Sequence, residues 1–230
     1  MILGIDTSLG TAVGVVDPDG AVRAERISDN PLGHAEVIGD LLQQALADAA
    51  RGPIGQTGAS EPVIVTHVAA GMGPGPFTGL RVGIAAARAF ALARSVPVVA
   101  VPSHDAAALE ILLAAALSDP FGDPARFAVV TDARRREVAY SVYEGMDADG
   151  LPIRTAGPAL AARTDIDDVL AELRAERRDV DAVSAAVLAV VAARALAAGR
   201  ELTGPEPLYL RAPDVTLPKG VVTRTPGGAA

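Results

Sequence analysis

The fold is decided by the stretch EPVIVTHVAAGMGPGPFTGLRVGIAAARAFALARS, residues 61–95. The continuous apolar run from Val63 to Ala70 predicts a strand in a sheet that is covered on both faces. Gly71 to Thr78 is rich in glycine and proline and predicts a loop, and Gly79 to Arg94 predicts a helix. A further short strand is expected at Val96 to Val101. The stretch therefore predicts a strand–helix–strand unit, which is typical of α/β proteins.

The helix in this unit is apolar on almost every side. Arg81 and Arg88 lie seven residues apart on one narrow face, and nearly all other residues of the helix are apolar or small. A surface helix normally has one apolar stripe, whereas a helix that is apolar all round must be covered on several sides. The chain's own sheet can cover one side. We therefore expect something else, such as a second protein chain, to cover another.

The loop before the helix has the position of a phosphate-binding loop but lacks the expected chemistry. Pro74 and Pro76 have no backbone N–H to offer a phosphate. No lysine follows the glycines, and the first acidic residue after Glu61 is Asp105, too far along the chain to hold a ribose. The glycines are therefore interpreted as residues that shape a rigid turn and allow a helix and a strand to approach closely.

Composition excludes several classes of protein. The 230 residues allow one large domain or two small lobes, and the net charge of −8 argues against strong autonomous binding of nucleic acid. The absence of cysteine excludes disulfides, a thiol nucleophile and thiolate metal ligands. The N-terminal sequence shows no targeting signal, and no apolar run approaches the length of a membrane span. A cytoplasmic protein without membrane contact is expected.

The N-terminal region predicts a meander of three strands, Met1 to Asp6, Thr11 to Asp17 and Ala21 to Ile27. This pattern resembles the ribonuclease-H-like half of actin-type ATPases, in which the aspartate that ends the first strand sits near metal and phosphate. Two interpretations stay open for the hydroxyl-rich turn that follows. It is either a vestigial phosphate site or a tight turn capped by its own side chains. The residues concerned are Asp6, Thr7, Ser8 and Thr11.

An amphipathic helix is expected from Ala35 to Ala50, with His34 and Glu36 at its start. These two residues are either a ligand or partner contact or a capping pair. Arg51 to Pro62 predicts a flexible connector.

Ser103, His104 and Asp105 have the composition of a catalytic triad but not its geometry. Adjacent residues point apart in a helix or strand, and triads are assembled from distant positions. Ser103 is therefore interpreted as the N-cap of a helix from Asp105 to Leu117.

The second half of the chain predicts a smaller sheet and two helices. Arg126 to Thr131 and Val138 to Tyr143 predict paired strands, joined by a turn that contains Arg134, Arg135 and Arg136. That turn is either an anion or partner site or a solvated turn. Helices are expected at 165–178 and 181–198, followed by an extended segment at 205–211.

Five motifs together resemble one family, TsaB, also called YeaZ, the bacterial partner of TsaD in the synthesis of tRNA threonylcarbamoyladenosine. GPG-x-FTGLR-x-G is highly specific, and Pro76 departs from it where a small residue such as serine is expected. The motifs span almost the whole chain and are ILGIDTS at 2–8, HAE at 34–36, GPGPFTGLRVG at 73–83, DARRREVAYSVY at 132–143 and YLR at 209–211.

The resemblance implies an α/β fold of the two-lobe, actin-like ATPase type (ASKHA, ribonuclease-H-like), with mixed sheets flanked by helices. It implies an N-terminal lobe at 1–102 that holds the partner-binding helices, a C-terminal lobe at 103–211, and a loose tail at 212–230. The implied function is that of a non-catalytic scaffold that binds TsaD directly, together with the ATPase TsaE. A homodimer is implied when TsaD is absent, and tRNA is reached only through the complex.

The same resemblance implies that this chain alone has no catalytic residue, metal or cofactor, and that ATP or ADP and metal belong to TsaD and TsaE. The metal motif of TsaD is two histidines four residues apart on a helix, but the residue four after His104 is Ala108. The alternative is an actin-like ATPase or small-molecule kinase that uses Asp6 and Thr11. The expected partner interface comprises His34, Val37, Ile38, Leu41, Val82, Ala85, Ala86 and Ala89.

Overall fold

The computed structural model describes residues 1–28, 33–52, 62–120, 122 and 125–211. Within these ranges the chain forms nine strands and five helices. In chain order they are β1 (Ile2–Asp6), β2 (Thr11–Val16), β3 (Val22–Ser28), α1 (His34–Ala49), β4 (His67–Gly71), α2 (Phe77–Arg94), β5 (Val98–Val101), α3 (Ser103–Ser118), β6 (Phe127–Asp132), β7 (Glu137–Met146), β8 (Pro152–Ala162), α4 (Ile166–Glu172), β9 (Glu176–Asp179) and α5 (Ala185–Ala197).

The first sheet has five strands in the order β3-β2-β1-β4-β5. β2 runs antiparallel to both β1 and β3, as the meander predicts, and β4 and β5 run parallel to β1. The register places Ile5 opposite Val13 and Gly4 opposite Ala69. The predicted strand–helix–strand unit is therefore β4–α2–β5, whose parallel strands need a helical crossover.

The second sheet has four strands in the order β8-β7-β6-β9. β7 is antiparallel to β6 and β8, and β9 is parallel to β6. Both sheets are mixed and flanked by helices, which confirms the predicted two-lobe α/β fold.

Helices cover both faces of the first sheet. α1 and α2 pack on one face and share a core with side chains of β1, β2 and β4. α5 packs on the other face so closely that a Cβ atom on Gly4 would lie 2.0 Å from the carbonyl oxygen of Ala185. A Cβ on Gly14 would lie 2.3 Å from the backbone nitrogen of Ala186. A helix from the second half of the sequence thus completes the core around the first sheet.

Two predicted elements differ in their bounds from the structure, and one strand is missed. Residues 62–66 precede β4 without forming a strand, although the apolar run had suggested one from Val63. The helix predicted at 165–178 ends at Glu172, and a turn with Arg174 at φ 52° leads into β9. Pairing with β6 outweighs helix propensity there, because a four-residue edge strand gives no reliable local signal. Strand β8 was not predicted.

The predicted connector at 51–62 and the predicted tail at 212–230 fall largely or wholly outside the described residues. Within the described ranges, no helix combines the length and the hydrophobicity needed to cross a lipid bilayer.

Candidate functional site

The carboxylate of Asp6 ends β1 and is held by three hydrogen bonds. Its Oδ1 accepts from the backbone N–H of Ser8 at 2.8 Å and from the Ser8 hydroxyl at 2.5 Å. Its Oδ2 accepts from the hydroxyl of Ser103, which comes from the first turn of α3, at 2.5 Å. Only 2% of Asp6 is exposed. Both oxygens of this carboxylate are therefore occupied by the protein itself.

The other hydroxyls of the β1–β2 turn are also bonded within the chain. Thr7 donates to the carbonyl oxygen of Gly79 at 2.8 Å, and Thr11 Oγ1 lies 2.8 Å from Nδ1 of His34. The side chains of Thr7, Thr11 and His34 are all buried. The side-chain oxygens of this turn, interpreted from the sequence as either a vestigial phosphate site or a capped tight turn, are thus hydrogen-bonded within the chain.

The glycines of the loop and of α2 make these hydrogen bonds sterically feasible. A Cβ on Gly71 would lie 1.9 Å from Oδ2 of Asp6, and one on Gly83 would lie 2.2 Å from Oγ1 of Thr7. A Cβ on Gly79 would lie 2.8 Å from the carbonyl oxygen of Thr7. The glycines therefore serve close approach of helix and strand, as interpreted from the sequence.

Burial raises the pKa of Asp6, while the hydrogen bonds from Ser103 and Ser8 oppose that shift. Because this carboxylate is buried and both of its oxygens already accept hydrogen bonds from the protein, it is poorly placed to hold a hydrated metal ion or to accept a proton from a substrate. Among the described residues, no group of three or more His, Asp or Glu side chains is arranged to hold a metal.

Ser103, His104 and Asp105 point to three different partners. His104 Nδ1 lies 2.9 Å from the Ser141 hydroxyl, and its Nε2 lies 3.0 Å from the Thr131 hydroxyl. Asp105 accepts from the hydroxyl of Tyr143 at 2.7 Å. They do not form a triad, as their adjacency in sequence indicates.

The prediction that Ser103 caps α3 is wrong. The helix begins at Ser103 itself, its N-cap is Pro102, and no side chain caps it. The Ser103 hydroxyl is instead engaged with Asp6 and accepts from the backbone N–H of Gly73 at 3.1 Å. No local sequence pattern could have revealed this link, because its two ends are 97 residues apart.

Desolvation by burial and, to a smaller extent, the positive charge of Arg154 together lower the pKa of His104 to about 3. The ring is therefore neutral at pH 7 and works as a hydrogen-bonding part of the core. Ala108, one turn further along α3, is also fully buried. The position equivalent to the second histidine of a His-x3-His metal pair thus carries no ligand atom.

Helix α2 has a buried face and an uncovered face. Leu80, Gly83, Ile84, Ala87 and Ala91 are buried against the first sheet. On the opposite side Ala85, Ala89 and Ala93 are exposed, and Leu92 is 82% exposed. An apolar residue as large as leucine that is almost fully exposed, beside several exposed alanines, marks a surface suited to another protein. We call Ala85, Ala89, Leu92 and Ala93 the outer face of α2.

The arginines of α2 bind the C-terminal described segment. Arg88 donates to the carbonyl oxygen of Pro205 at 2.5 Å, and Arg81 donates to the Tyr209 hydroxyl at 3.1 Å. The guanidinium of Arg81 lies 3.8 Å from the ring centroid of Phe77, whose centroid is 4.7 Å from that of Tyr209. This segment covers one further side of α2, but the outer face is left uncovered among the described residues.

The eight residues predicted as a partner interface fall into three groups by exposure. His34, Ile38 and Leu41 are at most 8% exposed and belong to the chain's own interior. Val37, Val82 and Ala86 are half-buried, whereas Ala85 and Ala89 are exposed. The α2 residues are therefore accessible to a partner, and of the α1 residues only Val37 is partly so.

A cleft of about 540 Å³ lies between the N-terminal end of α2 and the turn that joins β6 to β7. Phe77, Thr78 and Gly79 line one wall, and Asp132, Arg134 and Arg135 line the other. Tyr209 and Arg211 close one side. The sequence leaves the arginine turn open as an anion or partner site or a solvated turn, and it does not predict the position of this turn opposite α2, which depends on the packing of the two sheets.

Comparison with known proteins identifies a matching family model and several related sequences. The family model described as TsaD, tRNA N6-adenosine threonylcarbamoyltransferase, matches residues 30–160. An uncharacterized protein of Mycobacterium tuberculosis H37Rv is 40% identical over 168 residues, which are 72% of this chain and 67% of that protein. An uncharacterized protein of Mycobacterium leprae is 37% identical over 73% of this chain, but only 40% of that protein is covered.

Two solved structures share the fold. YeaZ from Pseudomonas aeruginosa has a TM-score of 0.66 and 22% identity, and the match covers 91% of this chain and 99% of YeaZ. A second structure, described as an uncharacterized protein with similarity to the peptidase YeaZ, has a TM-score of 0.65 and 23% identity over the same shares of both chains.

Proposed function

Because the chain belongs to the family described by the TsaD model, tRNA N6-adenosine threonylcarbamoyltransferase, and has the fold of YeaZ, we propose that it acts as a non-catalytic scaffold of that transferase. In this proposal it binds TsaD directly, and TsaE joins the complex. The complex transfers a threonylcarbamoyl group to the adenosine next to the anticodon of tRNA.

The observation that carries the proposal is the outer face of α2. Burying apolar surface is the main favourable term in protein association. Leu92 is 82% exposed, although its helix is packed on the sheet along its opposite side. Small alanines beside it would let a helix of a partner approach closely. The direct contact with TsaD is therefore proposed at Val82, Ala85, Ala86, Ala89 and Leu92.

The internal hydrogen bonds of Asp6 and Thr11 support a non-catalytic role. An actin-like ATPase or kinase would need Asp6 and Thr11 to face a metal ion or phosphate, but both are buried and bonded to Ser8, Ser103 and His34. Binding there would require the breaking of these hydrogen bonds. The buried, neutral His104 and its neighbour Ala108 also give no metal pair.

The proposal assigns ATP or ADP and metal ions to TsaD and TsaE. It places the protein in the cytoplasm together with the tRNA, which it reaches only through the complex. When TsaD is absent, a second copy of the chain is proposed to cover the outer face of α2, because exposed apolar surface of this kind favours self-association.

The test is co-purification with TsaD and TsaE, followed by a transfer assay with tRNA in which each protein is omitted in turn. We expect a stable complex with TsaD, transfer only when this chain and TsaD are both present, and no transfer by this chain alone. Transfer by the isolated chain would refute the scaffold role. Tight Mg-ATP binding that is lost in Asp6→Ala would favour the ATPase or kinase instead.

A further inference from the structure

Residues 205–211, which we call the strap, lie along α2 and end beside the β6–β7 turn. The strap forms no helix or strand, so contacts with the rest of the chain fix its position. These contacts reach the first lobe, built on the first sheet, and also the second lobe, built on the second sheet. The strap therefore connects the two lobes.

Backbone groups of the strap are held by the first lobe. The backbone N–H of Leu208 donates to the carbonyl oxygen of Met72, just after β4, at 2.8 Å. The carbonyl oxygen of Pro205 accepts from the guanidinium of Arg88 at 2.5 Å. The strap is thus tied both to the loop before α2 and to α2 itself.

Tyr209 adds a side-chain contact with the start of α2. Its hydroxyl accepts from Nε of Arg81 at 3.1 Å, and its ring centroid lies 4.7 Å from that of Phe77. The guanidinium of Arg81 lies over the Phe77 ring at 3.8 Å. The three side chains form one stack, so the strap and the first turns of α2 are held together.

The last described residue of the strap binds the second lobe. Arg211 forms an ion pair with Glu137, the first residue of β7, and donates to the carbonyl oxygen of Arg134 at 3.5 Å. The side chains of Arg211 and Glu137 are each about one-third exposed, at 33% and 36%. Water screens this pair in part, so it is a contact of moderate strength that can open and close.

The strap borders the cleft of about 540 Å³ between the lobes. Tyr209, Leu210 and Arg211 line it together with the start of α2 and the β6–β7 turn. Because the strap is bonded to both of these walls, the walls can move apart only if the strap gives up its contacts with one of them.

A separate connection between the lobes lies at the start of α3. Ser103 bonds to Asp6 in the first lobe, while His104 contacts Thr131 and Ser141 in the second. A single connection of this kind leaves the lobes able to rotate about it, as in hinge motions. A second connection, through the strap, removes that freedom.

From these contacts we propose that the strap is a brace that fixes the angle between the lobes and the width of the cleft, and that the cleft opens only when the strap is released. The brace also links α2, which carries the outer face, to the second lobe. The inference goes beyond the scaffold function and does not rest on it, since it concerns the chain by itself.

The first test asks whether the strap is released as one unit. Arg211→Ala removes only the contacts with the second lobe, whereas the amide of Leu208 reports the contact with the first lobe. An amide exchanges with solvent when its hydrogen bond opens. An ion pair and a hydrogen bond of this kind together shift such an equilibrium about fivefold, so the Leu208 amide should exchange about fivefold faster.

Hydrogen exchange of peptides that contain Leu208, measured by mass spectrometry, gives this rate. Arg211→Lys keeps a positive charge near Glu137 and should exchange more slowly than Arg211→Ala. The matched control is Arg178→Ala, because Arg178 pairs with Glu176 inside the second lobe, and it should exchange like the parent protein. Unchanged exchange of Leu208 in Arg211→Ala would overturn the proposal.

The second test measures the width of the cleft. The chain has no cysteine, so Glu36→Cys and Thr164→Cys provide two unique sites for spin labels, both exposed. Glu36 lies two residues after His34, which lines the cleft. Thr164 follows Arg163, whose backbone N–H donates to the carbonyl oxygen of Arg136 at 2.8 Å. The distance between the labels therefore reports the separation of the two walls.

The variant for this test is Tyr209→Ala with Arg211→Ala in the labelled full chain. It removes the aromatic contact, the hydrogen bond from Arg81 and the ion pair, each of which contributes about fivefold. The open population should therefore rise about 100-fold. Pulsed electron paramagnetic resonance should show one narrow distance in the labelled parent and in labelled Arg178→Ala, and a broad distribution that extends to longer distances in the double variant.

Circular dichroism checks that the double variant is folded. A narrow, unchanged distance in a folded double variant, or a broad distribution in the parent itself, would contradict the brace. Both tests use the isolated chain, so their failure is distinguishable from failure of the scaffold function.

Discussion

The hydroxyl of Ser103, at the start of α3, donates a hydrogen bond of 2.5 Å to Oδ2 of Asp6, at the end of β1. With the two hydrogen bonds from Ser8 to Oδ1, it engages both oxygens of the carboxylate. An aspartate in the position of a phosphate-site residue thus joins the strand to a helix that also packs on the second sheet. This aspartate is part of the structural core of the protein.

Replacement of Asp6 should separate a structural role from a catalytic one. Asp6→Ala removes three hydrogen bonds and leaves buried hydroxyls unpaired, so we expect a loss of about 1–3 kcal/mol in the free energy of unfolding. Asp6→Asn keeps a side chain of the same shape and removes a buried charge, so it should be much less destabilising. Urea denaturation of both variants measures the difference.

In the complex with TsaD, Asp6→Asn should also support transfer at close to the parent rate. A fold-retaining Asp6→Asn protein that eliminates transfer would show that the carboxylate has a chemical role.

The close approach of α2 to the β1–β2 turn should depend on Gly83. Gly83→Ala would place a Cβ atom 2.2 Å from Oγ1 of Thr7, and such overpacking typically costs about 1–3 kcal/mol. Thr7→Ala in the same chain should recover part of that loss. The matched control is Gly39→Ala in α1, where nothing lies within 4 Å of the added Cβ. It should stabilise the helix by about 0.5–1 kcal/mol. If both alanine variants were equally stable, the close packing of Thr7 on α2 would be refuted.

The outer face of α2 should control association. Ala89→Glu places a carboxylate where a partner would bury it without a counter-charge, which is costly. We expect binding to TsaD, and self-association when TsaD is absent, to weaken at least about tenfold, while circular dichroism shows an unchanged fold. Ala197→Glu, on an exposed position near the end of α5, is the control and should leave association unchanged. Light scattering measures both variants, and unaltered association of Ala89→Glu would place the interface elsewhere.

His104 should make the protein less stable in acid. Its pKa is about 3 in the folded chain, against an ordinary value of 6.5. Between these values the unfolded chain binds more protons, so stability falls as the pH drops through this window. At about 1.36 kcal/mol for each pH unit, the loss between pH 6.5 and pH 5 is about 2 kcal/mol.

Asp6 and Asp105 act in the opposite sense. Burial raises their pKa values in the folded state, so these groups favour folding as the pH falls towards their unfolded values. The test therefore compares the pH dependence of the free energy of unfolding between the parent protein and His104→Gln. Both proteins carry Asp6 and Asp105, so the contributions of these carboxyl groups cancel in the difference. The parent should lose about 2 kcal/mol more than the variant between pH 6.5 and pH 5, and equal losses would contradict the neutral, buried state of His104.

The sequence predicts the first lobe well because its signals are local. The apolar runs and the glycine-rich loop before α2 reflect short-range constraints, and β1, β2, β3, α1 and α2 form where they are expected. In contrast, β8 and β9 lie at the edges of the second sheet and gain their structure from pairing with β7 and β6. That pairing is not visible in a local pattern.

The candidate site is predictable only in part for the same reason. Sequence motifs identify Asp6 and the arginine turn as candidate site residues. The hydrogen bonds that fix the surroundings of the site, however, join residues far apart in the sequence. Ser103 reaches Asp6 across 97 positions, and Tyr209 reaches Arg81 across 128. The exposed state of Leu92 also follows from how α2 packs, because the sequence shows only that the helix is apolar on most sides.

Reconstituted threonylcarbamoyl transfer to tRNA tests the scaffold role itself, with TsaD, TsaE, ATP, an activated threonylcarbamoyl donor and either the parent chain, Ala89→Glu or no added chain. The proposal predicts rapid transfer with the parent chain, strongly reduced transfer with Ala89→Glu that recovers as its concentration is raised, and none when this chain acts alone. Full transfer by TsaD and TsaE without this chain, or transfer by this chain without TsaD, would contradict it.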